Sequence, residues 1–153
     1  MTEREITEQL RALLQVDLDA LRAYELAVRG VGVLALRDAL GEMRRDHERH
    51  VEALGRALAG RGAEVPAGVD LKGAVLGGVA AVRALAGTEG ALAALRQGEQ
   101  LTTGRYAQAL ARPWPEPLLA LVRSFHEDEH RHLLTIERWL AERAWEGRGT
   151  SAT

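Results

Sequence analysis

Four stretches of the chain carry apolar residues at helical spacing, and each stripe is interrupted near its middle by charged or titratable residues. The first, over residues 2–28, places Leu10, Leu14, Asp17, Leu21, Tyr24 and Val28 on one face and leaves Arg4, Glu8, Arg11, Asp19 and Arg22 on the others. Gly30-Val31-Gly32 ends it. A second stretch over residues 33–59 turns Leu36, Leu40, Met43, His47, His50, Leu54 and Leu58 inward. Glycine and proline make residues 60–68 a loop, and residues 69–85 form a shorter helix of small apolar side chains. Thr88 reads as the N-cap of a third long helix that reaches Ala111, with Leu92, Leu95, Glu99, Thr102, Tyr106 and Leu110 inward. Arg112-Pro113-Trp114-Pro115-Glu116-Pro117 is a tight turn. The last helix runs from it to about Trp145, with Leu118, Val122, Phe125, Glu129, His132, Ile136 and Leu140 inward. Residues 146–153 then read as a polar tail behind a single helical domain over residues 1–145.

A carboxylate or imidazole left without a partner in an apolar core costs several kcal/mol, so the interruptions should meet one another. Their heights allow it. Asp17 lies about 14 residues before the first turn and His47 about 15 after it, while Glu99 and Glu129 each lie about 14 residues from the proline turn. Each antiparallel hairpin thus sets its polar residues at one level. The link between hairpins, roughly 25–30 residues with a helix inside it, is long enough to run the length of the bundle. The expected fold is all-α: a four-helix bundle of two antiparallel hairpins joined by a long crossover containing a short helix.

Composition changes this picture little. A chain of 153 residues suits one domain with a real core. The formal net charge of -2 gives no basic footprint, so nucleic acid is not an expected partner. With no cysteine, disulfides, thiolate metal sites and a thiol nucleophile are excluded. The stretch Met1-Thr2-Glu3-Arg4-Glu5 lacks the basic-then-apolar pattern of an export signal, and the most apolar run, residues 73–85, is too short and glycine-rich to span a membrane. The expected compartment is the cytoplasm. No Ser/His/Asp arrangement, P-loop or dinucleotide fingerprint is present.

Asp17-Leu18-Asp19-Ala20-Leu21-Arg22-Ala23-Tyr24 resembles the first helix of the ferritin-like superfamily, in which an acidic ligand precedes a tyrosine by two turns. Asp128-Glu129-His130-Arg131-His132-Leu133 resembles its fourth-helix Glu-x-x-His ligand pair, and Glu99 falls at the third-helix acidic position. Gly98-Glu99 through Tyr106-Ala107-Gln108-Ala109-Leu110 is most similar to a small bacterial branch of that superfamily. The resemblance spans nearly the whole chain. It is weaker on helix two, where His47 stands at the usual Glu position before His50, and Asp17 replaces Glu on helix one.

The resemblance implies a ferritin-like bundle with a site for divalent metal, iron or manganese, with room for two ions. Glu129 would bridge, Glu99 and His132 would complete one ion, and Asp17 with His50 the other. His47 would add a nitrogen but cannot bridge as a carboxylate does. Tyr24 and Tyr106 would support the ligands by hydrogen bonds or give access to an electron. The implied chemistry is oxidation of ferrous iron or reduction of peroxide, with metal ions and dioxygen or peroxide as partners, or metal handling without catalysis. The competing reading is a metal-free polar layer, in which three carboxylates and three imidazoles neutralise one another and the bundle acts through protein association. The apolar segment over residues 69–85 would then be an interface or a cap, and a homodimer is compatible with either reading. Asp46 and Glu25 flank the stripes as alternative acidic ligands. His126, Glu127 and His130 lie off the stripe and are expected at the surface. The short chain and the absence of a clear fifth helix weigh against a storage cage.

Overall fold

A computed structural model describes residues 1–68 and 86–147. Among them are four long helices and no strand: α1 (Glu3–Val28), α2 (Leu34–Ala59), α3 (Gly87–Leu110) and α4 (Glu116–Glu142), followed by a single 3-10 turn at Ala144–Glu146. The chain is an all-α four-helix bundle. The short helix expected over residues 69–85 and most of the polar tail lie outside the described residues. No helix among the described residues is long and apolar enough to cross a membrane.

Local chemistry sets the helix ends. Thr2 and Glu5 form a reciprocal cap: the Thr2 hydroxyl accepts the Glu5 N–H at 3.2 Å, and Glu5 Oε2 accepts the Thr2 N–H at 2.7 Å. Beyond α1, the Arg37 guanidinium donates twice to the Val31 carbonyl, at 2.8 and 3.2 Å, tying the hairpin turn to α2. Gly62, at φ 66°, supplies the left-handed residue after α2, where the Ala63 N–H returns to the Leu58 carbonyl at 3.1 Å. Thr88 does not cap α3. That helix begins one residue earlier, at Gly87, and the Thr88 hydroxyl instead accepts the Gly32 N–H at 3.0 Å, linking the two hairpins at one end of the bundle. In the proline turn Trp114 folds inward and its indole N–H donates to the Ala109 carbonyl at 2.8 Å. The last helix stops at Glu142, short of Trp145, because Arg143 adopts the left-handed conformation (φ 51°).

α1 packs on α2, α3 on α4, and α1 on α3, whereas α2 and α4 scarcely approach each other. Two apolar cores result. One gathers Ile6, Leu10, Leu14, Leu54, Leu58, Trp114, Leu118 and Phe125; the other gathers Ala27, Leu36, Leu40, Met43, Leu92, Leu95 and Ile136. α2 ends in the first core while α3 begins in the second, so residues 60–86 join opposite ends of the bundle, as a long crossover must. Between the cores lies a polar layer.

Candidate metal centre

Six of the residues that interrupt the apolar stripes meet in this layer and are shut off from solvent. Asp17, His47, His50 and Glu129 are 0% exposed, His132 1% and Glu99 2%. They form two overlapping groups. Asp17, His47, His50 and Glu129 each bring one ligand atom within 4.8 Å of the others, and so do His47, Glu99, Glu129 and His132. His47 and Glu129 belong to both. Every helix contributes, because each stripe reaches the middle of the bundle at the same height.

The two tyrosines close the layer from opposite sides. Tyr24, on α1 beside one core, donates its hydroxyl proton to Glu99 Oε1 on α3. Tyr106, on α3 beside the other, donates to Asp17 Oδ2 on α1. Each tyrosine sits two turns from the carboxylate on its own helix and holds the one on its neighbour. Burial, together with the carboxylate each faces, pushes both phenols well above their usual pKa, so they remain donors.

The imidazoles are held as firmly. His47 Nδ1 lies 2.8 Å from Asp17 Oδ1 and His47 Nε2 lies 3.2 Å from Glu99 Oε1. His50 Nδ1 lies 3.1 Å from the same Asp17 oxygen, and Phe125 stacks on the His50 ring with centroids 4.0 Å apart. Around these lies an outer ring of charge whose role the sequence reading missed. The His50 Nε2–H faces Asp128 Oδ2 at 3.0 Å, and the His132 Nε2–H faces Asp46 Oδ2 at 2.8 Å. Each aspartate therefore holds the histidine of the opposing helix, and Asp46, expected as an alternative ligand, turns its carboxylate to His132, Arg49 and Arg131. Arg131 lies 3.0 Å from Asp46 and 2.9 Å from Asp128, so this ring spans the seam where α2 and α4 stand apart. The signal was in the chain: Asp-x-x-Arg-His occurs twice, at residues 46–50 and 128–132.

Four polar atoms in the layer are buried with no hydrogen-bond partner in the protein: Glu99 Oε2, both carboxylate oxygens of Glu129, and His132 Nδ1. Glu129 Oε1 is 3.3 Å from His47 Nδ1 and 3.1 Å from His50 Nδ1, but neither contact is aligned as a hydrogen bond, and both rings bond Asp17 instead. Burial first, then repulsion from Glu99 and Asp17, drives the Glu129 pKa well above the carboxylate range. Burial pushes the same way on Asp17, yet the His47 and His50 hydrogen bonds hold it below its usual value. At Glu99 too the neighbouring imidazoles overcome burial and lower the pKa. Burial would lower both histidines, but the surrounding carboxylates win: His47 is raised well above its usual value and His50 is raised to about 9.

The remaining candidates lie elsewhere. Glu25 pairs with Arg22 and Arg44 on the surface. His130 and Glu127 are exposed, and the partly buried His126 stacks against His130, with centroids 6.4 Å apart. Residues 5–112 match the family described as "Domain of unknown function (DUF2383)", and the chain belongs to it. Neither a curated protein nor a solved structure matches the chain.

Proposed function

We propose that this member of the DUF2383 family is a ferritin-like metal protein whose mid-bundle layer binds divalent iron or manganese, for oxidoreductase chemistry or for metal handling. The observation that carries the reading is the set of four unpartnered buried atoms on Glu99, Glu129 and His132. Leaving such atoms bare in a core costs free energy, whereas a cation in the layer would give Glu99, Glu129 and His132 the partner they lack. The donor set fits. Carboxylate oxygens and imidazole nitrogens suit iron and manganese, and the absence of cysteine removes the soft ligands that would favour other metals. The ferritin-like assignment draws on the Asp17–Tyr24, Glu99–Tyr106 and Glu129–His132 spacings, the crossover between opposite ends of the bundle, and the meeting of all three pairs in one layer.

A bound iron or manganese ion would supply one-electron chemistry toward dioxygen or peroxide at neutral pH. The chain's own residues would do the rest. Tyr24 and Asp46 fix Glu99 and His132 by their other polar atoms, so the ligands need little reordering on binding. The two apolar cores exclude water from the layer, which strengthens every charge interaction inside it. Asp46 and Asp128, partly exposed at the α2–α4 seam beside Arg131, would give ions and small oxidants a hydrophilic approach.

Protein purified without chelator and titrated with manganese, ferrous iron or zinc near pH 7.5 tests the proposal. Binding at micromolar concentration with a rise in thermal stability is the expected result. No binding of any of these ions at high micromolar concentration favours the second reading, a metal-free polar layer. The mutual hydrogen bonds of Asp17, His47 and His50 are the observation on that side.

A further inference from the structure

We infer that the layer takes a single divalent ion, held by Glu99, Glu129, His132 and the Nε2 nitrogen of His47, with Asp17 bound to His47 and not to the ion. The inference rests on the metal reading above and limits how many ions that reading allows.

Two ions would need both four-residue groups to be complete, and the groups share Glu129 and His47. Glu129 can serve two ions, because it has two oxygens and neither is engaged in a hydrogen bond within the protein. His47 cannot. An imidazole that keeps one N–H has one lone pair, so it completes one group only. The geometry selects which. His47 Nδ1 is 2.8 Å from Asp17 Oδ1 in an aligned hydrogen bond, whereas Glu129 Oε1 is 3.3 Å from the same nitrogen and out of line. Donating from Nδ1 to Asp17 leaves the lone pair at Nε2, which lies 3.2 Å from Glu99 Oε1 and so faces the Glu99 group.

His132 is arranged in the same way. Its Nε2–H donates to Asp46 at 2.8 Å, and Nδ1 is left bare toward Glu99. Both imidazoles of the Glu99 group thus have a carboxylate behind the nitrogen that does not bind, the arrangement that fixes a ligand histidine's tautomer. Asp17, by contrast, already has both oxygens engaged in hydrogen bonds. Oδ1 accepts from His47 and His50, and Oδ2 accepts from Tyr106. Of the four bare atoms, Glu99 Oε2 and His132 Nδ1 belong to the Glu99 group alone, the two Glu129 oxygens are shared, and none is on Asp17 or His50. Charge agrees with geometry: Glu99 and Glu129 balance one divalent ion, while a second would bring two positive charges to meet Asp17 alone. His47 therefore stands where a second bridging carboxylate would have to be.

The test is native mass spectrometry of the folded chain loaded with excess Mn2+, on wild type, His47→Glu and Asp17→Asn, with helicity checked by circular dichroism. One Mn2+ per wild-type chain and two per His47→Glu chain is the expected pair of results. Two ions in wild type, or one in a folded His47→Glu chain, overturns the inference and leaves the metal reading standing. No ion in wild type overturns the metal reading itself. Asp17→Asn should keep its one ion, with affinity lowered roughly tenfold, the usual effect of losing a residue that supports a ligand. Loss of the ion from folded Asp17→Asn overturns the assignment of Asp17. Should His47→Glu fail to fold, electron paramagnetic resonance of Mn2+-loaded wild type decides. The six-line spectrum of an isolated ion with two directly bound nitrogens supports the inference, and the spectrum of a spin-coupled pair overturns it.

Discussion

Glu129 has both carboxylate oxygens buried without a donor, and it is the residue at which metal and proton compete most directly. Glu129→Gln keeps the shape of the protonated side chain but has no proton to release and no charge to offer a cation. It should change the melting temperature of the metal-free chain little and abolish the further rise that metal gives, both read by thermal denaturation with and without chelator. His50 sets the pH dependence of the metal-free chain. Its pKa is about 9 when folded against 6.5 for the ordinary side chain, so the folded state holds a proton that the unfolded state has lost. This stabilisation is fully present below pH 6.5 and is lost as pH rises through about 9, a swing of up to about 3 kcal/mol. The raised pKa of Glu129 acts in the same direction. Urea midpoints in chelator should therefore fall between pH 6.5 and 9, whereas metal, which binds the deprotonated ligands, should add more stability across that same interval. A metal-free chain whose midpoint rises over this range would contradict the assignment. The six buried residues were legible because each stands on an apolar stripe where a charged or titratable residue has no local reason to be. The roles of Asp46 and Asp128 were not legible in this way, since each sits one position off its stripe and acts on the opposing helix. Only the repeated Asp-x-x-Arg-His pointed to them.

At the scale of the elements, the turn between α3 and α4 carries more than its prolines suggest. Trp114 is 6% exposed, packs into the core with Ile6, Leu10 and Leu118, and fixes the end of α3 through its indole N–H. Trp114→Ala should cost about 3–5 kcal/mol, because it removes a large core side chain and one helix-terminal hydrogen bond together. Denaturant titration checks this, and a loss below about 1 kcal/mol would show that the turn is held by Pro113 and Pro115 alone. The sequence marked this segment as a turn from its prolines, but nothing in a four-residue window shows that one tryptophan faces inward. Helix boundaries were legible where residue chemistry writes them. α1 and α2 begin within one residue of the expected positions because threonine, glycine and the start of a stripe mark them. They were less legible where tertiary contacts decide. Thr88 has the chemistry of a cap but is taken by Gly32, and Arg143 ends α4 in a left-handed conformation that no glycine or proline announces. α3 has the weakest contrast between its faces, since small residues stand on both: Gly104 and Ala107 outward, and Ala91, Ala94 and Ala109 inward.

For the whole molecule, the equal heights of the polar residues were enough to foresee a bundle with one shared layer, but not how its helices neighbour one another. Spacing along a stripe gives levels, whereas the packing of α1 on α3 and the separation of α2 from α4 depend on side-chain volumes across faces. That arrangement has a mechanical consequence. The layer divides the interior into two apolar cores, and it is built from both hairpins: Asp17, His47 and His50 come from one, Glu99, Glu129 and His132 from the other. An ion bound between the hairpins adds a cross-link at the level where apolar packing is interrupted. At a free metal concentration of 100 times Kd, the folded state gains about 2.7 kcal/mol, which slows exchange through global opening roughly 100-fold. The gain should not be uniform. Amides near Asp17, His50, Glu99 and Glu129 also open locally when the layer is unpaired, so hydrogen–deuterium exchange with Mn2+ should slow most there, on all four helices at once. The ends of the bundle, near Ile6 and Trp114 or near Leu36 and Leu92, should gain only the global part. Protection confined to one hairpin would mean that the ion does not join the two, and protection centred on either end would place it outside the layer.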